Sequence, residues 1–489
     1  MRLVLFICFL YCISLVYCQS EPMPAVLKID TSFAYFQFHN PQLGAKFSAH
    51  FDKIQEDKVV FVHFGGSHIQ AGKPIAVARN ILQAEFGDGG LGYLFNYKAA
   101  NTYGSIVYNT SYTGKWTSRK SYQGRSSALP VGFCGMTVES IDPMASLKFE
   151  LKKSIQASDH KIYVFFENDS ITRDVLIQID TNQINDNHGL TYTPFGLEFN
   201  YTDSIRDIVL KVKSTGGSRF RFYGLSIEKS ANKGLVYHPA GVGSAAYRSF
   251  LVFDKYEMQA EVLKPDVAVL DFGTNDIVYY NTIDPKLESQ VVKVIEKLRK
   301  QNPEILIVLT STQDLYFKKR VIDACTTFRD LMDTIARKND CMFWNFYDVS
   351  GGKNTIRDWA REGYALTDGI HLTNKGYEKK GELLALSIQQ TLAYAKNFPS
   401  MPKILIGKNY LDTSQVVVLD STQKHVIDPV IPKPKKTTPK LRYKYYKVRS
   451  GDTLSEIADR HRTTVSKIKK ANGLRNNTIR PGQVLKIPK

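Results

Sequence analysis

Three short stretches of this chain carry side chains whose types suit acyl transfer through a serine. FGGSHIQAG places Ser67 directly after the apolar run VVFVHF, so its hydroxyl falls at the end of a strand. LDFGTNDI places Asn275 just beyond VAVLDF, and an asparagine amide is a donor that can face a developing oxyanion. YALTDGIHLTNKGYEKKG holds Asp368 and His371 three residues apart, close enough for one carboxylate to orient the imidazole. Ester hydrolysis by a serine needs this set: a nucleophile, a base, a group that orients the base, and donors aimed at the tetrahedral oxygen. Each residue also has a plain structural reading, Ser67 as a strand-to-helix turn, Asn275 as a cap, Asp368 as a helix-entry acid and His371 as a satisfied structural histidine. Their occurrence in order at the ends of successive strands favours the chemical reading.

The elements that must position them follow from periodicity. VVFVHF, VAVLDF (267–272), ILIVLT (305–310) and MFWNFY (342–347) are continuous apolar runs, as expected of strands buried on both faces of a parallel sheet. Helical patterns occupy 285–299, 318–338 and 374–396 between and after them. Alternating strand and helix predicts an α/β doubly wound parallel sheet, whose sites lie at the carboxyl ends of the strands. From 96 to 228 that rhythm gives way to short β-type runs such as KIYVFFE, DVLIQID and RFRFYGLSIE, separated by Gly, Asn, Asp and Ser clusters. This predicts an inserted β-rich, sandwich-like module within an α/β domain spanning 19–95 and 229–398. Residues 399–444 read as an extension and a Pro/Lys-rich linker, extended by proline and by charge repulsion.

The N-terminus, one Arg followed by an apolar run from Leu3 to Val16, reads as a secretory signal peptide over 1–18. Cys18 offers a lipid-attachment alternative, with bulky Tyr17 standing against it. No later run approaches the roughly 20 apolar residues of a membrane-spanning helix. Of the six cysteines three lie in the leader, leaving Cys134, Cys325 and Cys341. About 20 Å of helix, at 1.5 Å per residue, separates Cys325 from Cys341, so free buried thiols are expected rather than a disulfide. The formal charge of +18 is concentrated at the C-terminus, where 433–489 holds 17 Lys/Arg against 3 Asp/Glu. For an exported chain this points to an anionic envelope polymer or lipid headgroups rather than nucleic acid, with a solvated basic face as the alternative.

In the order GGSH, GTND and DGIHLT the chain resembles the SGNH (GDSL-like) hydrolases, and especially their peptidoglycan O-acetylesterase branch. By that resemblance Ser67 is the nucleophile, His371 the general base and then acid, and Asp368 the carboxylate that orients it. The resemblance also implies an oxyanion hole made of the Ser67 N–H, the Asn275 side chain and a backbone N–H in HPAGVGSAA. That last donor is assigned to Gly243, with Ser244 as the neighbouring alternative. No metal or cofactor is implied. One departure stands out: Gly66 occupies the position before the serine where the family carries Asp. His68 matches the branch pattern, and His371 fits the role of base better.

Residues 445–489, with VRSGDTLSEIADRH, VSKIKKANGL and IRPGQVLKIP, resemble a small βααβ LysM domain. That family implies recognition of N-acetylglucosamine-containing glycans, here by Gly451, Asp452, Thr453, Asn472, Gly473 and Leu474. Together these features predict a secreted, periplasmic or envelope-associated serine esterase that removes acetyl groups from a wall glycan, peptidoglycan first. Two alternatives stay open: an esterase of another acetylated polysaccharide such as capsule or xylan, and a wall-binding protein with an inactive hydrolase fold.

Overall fold

The computed structural model describes residues 27–396 apart from 71, 125–127, 170–174 and 213–218, and, towards the C-terminus, 443–448 and parts of 454–488. The expected leader, most of the linker, and Gly451, Asp452, Thr453 and Gly473 lie outside the described residues. The chain divides into two compact units, Met1–Tyr410 and Leu411–Lys489.

At the centre of the first unit is a six-stranded sheet. Its strands are β1 (Phe36–Gln37), β2 (Val59–Gly65), β3 (Leu235–Gly241), β4 (Val267–Asp271), β5 (Leu306–Thr310) and β6 (Met342–Trp344). They lie in the order β1-β6-β5-β4-β2-β3. All neighbours are parallel except β1, which closes the edge antiparallel to β6, so the sheet is mixed at that one edge rather than parallel throughout. Every residue of β2, β4 and β5 is buried, which is why these strands read as unbroken apolar runs rather than as alternating ones. The chain leaves β2 for β3 on one side and returns to β4 on the other, so the order reverses at β2, where an open α/β sheet forms its crevice.

The helices follow their apolar stripes. Leu287–Gln301 buries Leu287, Val291, Val294, Ile295 and Leu298, with Glu288 in its first turn and Arg299 and Lys300 in its last, matching the helix dipole. The helical pattern expected over 318–338 is shorter, Ala324–Lys338. Ahead of it, Tyr316–Phe317 and Arg320–Val321 pair as a hairpin, and Lys318 and Lys319 turn it with φ of 49° and 64°. A charged pair at positive φ cannot continue a right-handed helix, which local periodicity did not reveal. MFWNFY likewise stops as a strand at Trp344, because the Asn345 side chain accepts from Asp348 N and caps the short helix Phe346–Val349.

Between β2 and β3 the chain builds two antiparallel sheets, of five and seven strands. They meet through aromatic contacts such as Phe149 against Phe222, with ring centres 6.0 Å apart. Phe64 of β2 packs on Phe133 at 5.3 Å, so the antiparallel region and one face of the central sheet share a continuous core. Cys134, Cys325 and Cys341 are free and buried, and burial pushes each thiol up to about 12.

A buried polar cluster ties these elements together. The Asp271 carboxylate, at the end of β4, accepts from Lys380 Nζ of the helix Asn374–Lys396 at 2.6 Å and lies 3.3 Å from His63 Nε2 of β2. His63 Nδ1 in turn meets the Tyr237 hydroxyl of β3 at 3.0 Å. The Lys380 and Asp271 side chains are only 2% and 8% exposed. Burial alone would raise the Asp271 carboxyl, but Lys380 and His63 outweigh it and hold the group below the ordinary carboxylate range.

In the second unit, Tyr443–Lys447 pairs antiparallel with Val484–Pro488, and the helix Val465–Asn472 packs on them. Val448, Leu454, Ile457, Ala458, Ile468, Leu485 and Ile487 form its own small core.

Removing one partner of a buried ion pair leaves the other charge unpaired, so Lys380→Met is expected to cost about 3–5 kcal/mol in urea unfolding at neutral pH. Because the folded carboxyl lies below its unfolded value near ~3.9, the pair's contribution is complete above that pH and is lost as pH falls further. The gap between wild type and Lys380→Met should therefore narrow in melts taken below about pH 4. A gap that is constant with pH would contradict the role given to Asp271.

Candidate functional site

Four segments converge at the carboxyl edge of the sheet. After β2, Ser67 heads the four-residue helix Ser67–Gln70, whose Ile69 and Gln70 amides bond to Gly66 O at 3.1 Å each. The Ser67 N–H is therefore among the N-terminal amides that a helix leaves without an internal acceptor. After β3, Val242 N donates to Gly65 O at 3.0 Å and draws the Gly243 turn against the serine. After β4, Asn275 lies on the short helix Thr274–Ile277 and donates from Nδ2 to Ala245 O at 2.9 Å. One amide hydrogen is used there, and the second remains for another acceptor.

The fourth segment brings the histidine. His371 Nε2 lies 2.9 Å from Ser67 Oγ, across 304 residues of sequence, and His371 Nδ1 lies 2.7 Å from Asp368 Oδ2. The other Asp368 oxygen accepts from the Ile370 and His371 amides, each at 2.9 Å. Gly369 between them has a φ of 69°, and a β-carbon there would meet Tyr316 O at 2.2 Å, so the turn requires glycine. Burial alone would raise the Asp368 carboxyl; the His371 bond and the two amides outweigh it and hold the group below the usual carboxylate range. The chain of contacts from Ser67 to His371 to Asp368 is the one by which a histidine takes a serine proton while a carboxylate fixes its tautomer. The site is open: the His371 and Asp368 side chains are 37% and 43% exposed.

Several further residues shape the site, some with little sequence signal. His68 is buried and stacks on His371, with ring centres 5.5 Å apart at 23°. Burial, with Lys380 and His371 nearby, lowers His68 to about 3, so it is a neutral plate behind the base. Gln313, in the loop after β5, donates to Ile370 O at 2.7 Å and approaches His68 Nε2 at 3.4 Å, which pins the histidine loop. Asp276 accepts from Gly273 N and Tyr247 N and so joins the Asn275 turn to the Gly243 turn, and burial raises its carboxyl to about 6. Its signal was its place in GTND.

Of the expected oxyanion donors, Gly243 is already engaged: its N–H donates to Gln70 Oε1. Gln70 also donates to Tyr103 O at 2.6 Å and to Thr102 Oγ1 at 3.1 Å. A substrate oxygen reaches Gly243 N–H only when the Gln70 carbonyl gives way. Gly66 has no positive φ, and a β-carbon on it would lie 3.1 Å from Asn275 Nδ2 and 3.4 Å from Ala245 O. The glycine thus gives the Asn275 amide room.

In the second unit Asn472 spends its side chain internally. Its Nδ2 donates to Ile468 O and Lys486 O at 2.7 and 2.8 Å, and its Oδ1 accepts from Lys486 N at 2.7 Å. It clamps helix to strand, while Leu474 packs against the small core. Among the described residues, no group of three His, Cys, Asp or Glu side chains is placed to hold a metal ion, and no helix is long and apolar enough to cross a membrane.

Comparison with known proteins agrees with this geometry at the level of domains. Residues 215–379 match the model of the GDSL-like Lipase/Acylhydrolase family, a stretch that contains Gly243, Asn275, Asp368 and His371 and stops short of Ser67. Residues 446–488 match the LysM domain model. A solved peptidoglycan O-acetylesterase superposes with a TM-score of 0.59 at 18% identity, covering 73% of this chain and 99% of that one, which is a likeness of fold. Over 42 residues the chain is 57% identical to the probable peptidoglycan endopeptidase LytE of Bacillus subtilis and 57% identical to the N-acetylmuramoyl-L-alanine amidase sle1 of Staphylococcus saprophyticus. Each of those matches covers 9% of this chain and 13% of the relative.

Loss of the Asn275 amide, in Asn275→Ala, is expected to lower kcat on a small acetyl ester by about 100- to 1000-fold, with KM little changed. Gly66→Ala displaces that amide by a few tenths of an ångström. Since a misplacement of about 1 Å costs about 100-fold, the expected loss in kcat is about two- to tenfold at an unchanged melting temperature. A Gly66→Ala enzyme as fast as wild type would contradict the spatial role given to this glycine.

Proposed function

Starting from a chain that carries a GDSL-like acylhydrolase domain and a LysM domain, we propose that it is a secreted serine esterase that removes O-acetyl groups from a wall polysaccharide, peptidoglycan foremost. The observation that carries the reading is the contact chain Ser67–His371–Asp368, with 2.9 and 2.7 Å between its successive members. In this mechanism His371 Nε2 takes the Ser67 proton as Oγ attacks the acetyl carbonyl. The tetrahedral oxygen is met by the Ser67 N–H, the free hydrogen of Asn275 and, once Gln70 yields it, the Gly243 N–H. Collapse expels the sugar oxygen, which takes the proton from His371. Water, deprotonated by the same imidazole, then attacks the acetyl-serine and releases acetate.

Two further features favour a polymer as substrate. The half-exposed His371 and Asp368 stand at an open edge that a long glycan can cross. The LysM domain supplies affinity for N-acetylglucosamine-containing glycan and raises the local concentration of substrate without taking part in the chemistry. The names of the proteins that share the 42-residue stretch, a peptidoglycan endopeptidase and a muramoyl-alanine amidase, favour peptidoglycan as that glycan. The excess of 17 Lys/Arg over 3 Asp/Glu from 433 to 489 adds attraction to anionic envelope polymer, which salt weakens.

The test is acetate release from purified O-acetylated peptidoglycan and, in parallel, from acetylated xylan. Wild type is expected to favour peptidoglycan, and Ser67→Ala to release no acetate from it while still sedimenting with it at raised salt. Full activity in Ser67→Ala would refute the assignment of the nucleophile. Faster release from xylan would move the substrate to another acetylated polysaccharide.

A further inference from the structure

Residues 101–107, the second half of the connection between the strands Gly90–Leu94 and Tyr108–Thr113 of the antiparallel region, reach across to the serine. Gln70 holds this loop at Thr102 Oγ1 and at Tyr103 O, as described above. The Tyr103 hydroxyl lies against Ser67. It also stands 2.9 Å, and a ring carbon 3.2 Å, from the position that a β-carbon on Gly243 would take. The phenol therefore occupies the space between the Ser67 hydroxyl and the Gly243 turn, with Tyr103 as a whole still 48% exposed. The ring therefore borders the space open to an acyl group bonded to Ser67 Oγ.

We propose that Tyr103 is a specificity-determining residue that limits the acyl group to acetyl by walling the acyl side of Ser67, with Gln70 fixing the wall in place. This assignment rests on the esterase reading above. The ring closes the space beyond the first carbon of the acyl tail, so a longer chain collides with it, while the sugar leaves on the opposite, open side. Burial pushes the phenol above its ordinary range, so it presents a neutral hydroxyl to the site. Since the residue comes from the antiparallel region rather than from the sheet edge, acyl length is set by a segment separate from the one that carries out the chemistry.

The experiment compares 4-nitrophenyl acetate with 4-nitrophenyl butyrate, whose common leaving group makes the ratio of kcat/KM report the acyl side alone. Each methylene that a pocket accepts or rejects is worth about 10- to 200-fold. The butyrate-to-acetate ratio is therefore expected to rise at least about tenfold in Tyr103→Ala, and in Tyr103→Val as a second truncation. Tyr103→Phe, which keeps the ring, should leave the ratio within about twofold of wild type. Melting temperatures near wild type would show that the truncated proteins are folded. An unmoved ratio in both truncations would overturn the assignment, as would a loss of about 100-fold on the acetate ester in Tyr103→Phe, which would make the hydroxyl a catalytic donor. A wild-type chain inert to both esters would overturn the esterase reading as well, an outcome distinct from an active enzyme with an unmoved ratio.

Discussion

The arrangement of this protein depends on one buried charge and its partners. Asp271 lies at the end of β4 and is bonded by Lys380, from the helix that follows the histidine loop, and by His63, from the strand that delivers the serine. His63 passes the contact to Tyr237, on the strand that leads to the Gly243 turn. Each segment that supplies a residue to the site is therefore tied, on the same or the adjoining element, to a single polar network. A carboxylate out of water with only one partner would be costly, so each element is bound to the others by the need to keep it satisfied. Apolar packing would hold the same strands together, but it would tolerate sliding in a way that directional bonds do not.

Above that fixed base, the parts of the site differ in how firmly they are held. The Asn275 turn is fixed by Asp276 and by the bond to Ala245 O. The histidine loop is held from behind by the stacked ring of His68 and by Gln313, and from within by the Asp368 carboxylate on its own amides. Gln70 is different, because its carbonyl occupies the Gly243 N–H, a donor that the proposed mechanism uses. Under that mechanism the residue that organises the neighbouring loop gives up one bond when substrate arrives. Exchange of one acceptor for another on the same N–H costs little, and the bonds from the Gln70 amide to the loop survive it.

The openness of the site and the second unit complement each other. A shallow edge offers little surface with which to retain a polymer, and under the proposed function the LysM domain supplies that retention. Within the LysM domain, Asn472 is committed to joining helix and strand, so any sugar contact near the end of that helix falls to its neighbours.

Much of this protein was legible in one dimension. Strands buried on both faces must be apolar throughout, so β2, β4 and β5 could be read directly. Ser67, Asn275, Asp368 and His371 stood out because chemistry at strand ends demands particular residue types in particular turns. What local patterns could not supply were contacts between segments far apart in sequence. The hairpin at Tyr316–Val321 overlapped a helical pattern, and its reversal at Lys318 and Lys319 comes with a bond from Tyr316 N to Gly369 O, a residue far along the chain. Gln70 and Lys380 look like ordinary polar positions of helices, and Tyr103 like an ordinary loop tyrosine. Each gains its role only when folding brings it against a residue from another segment, because hydrogen bonds and steric walls act over a few ångströms of space and take no account of separation along the chain.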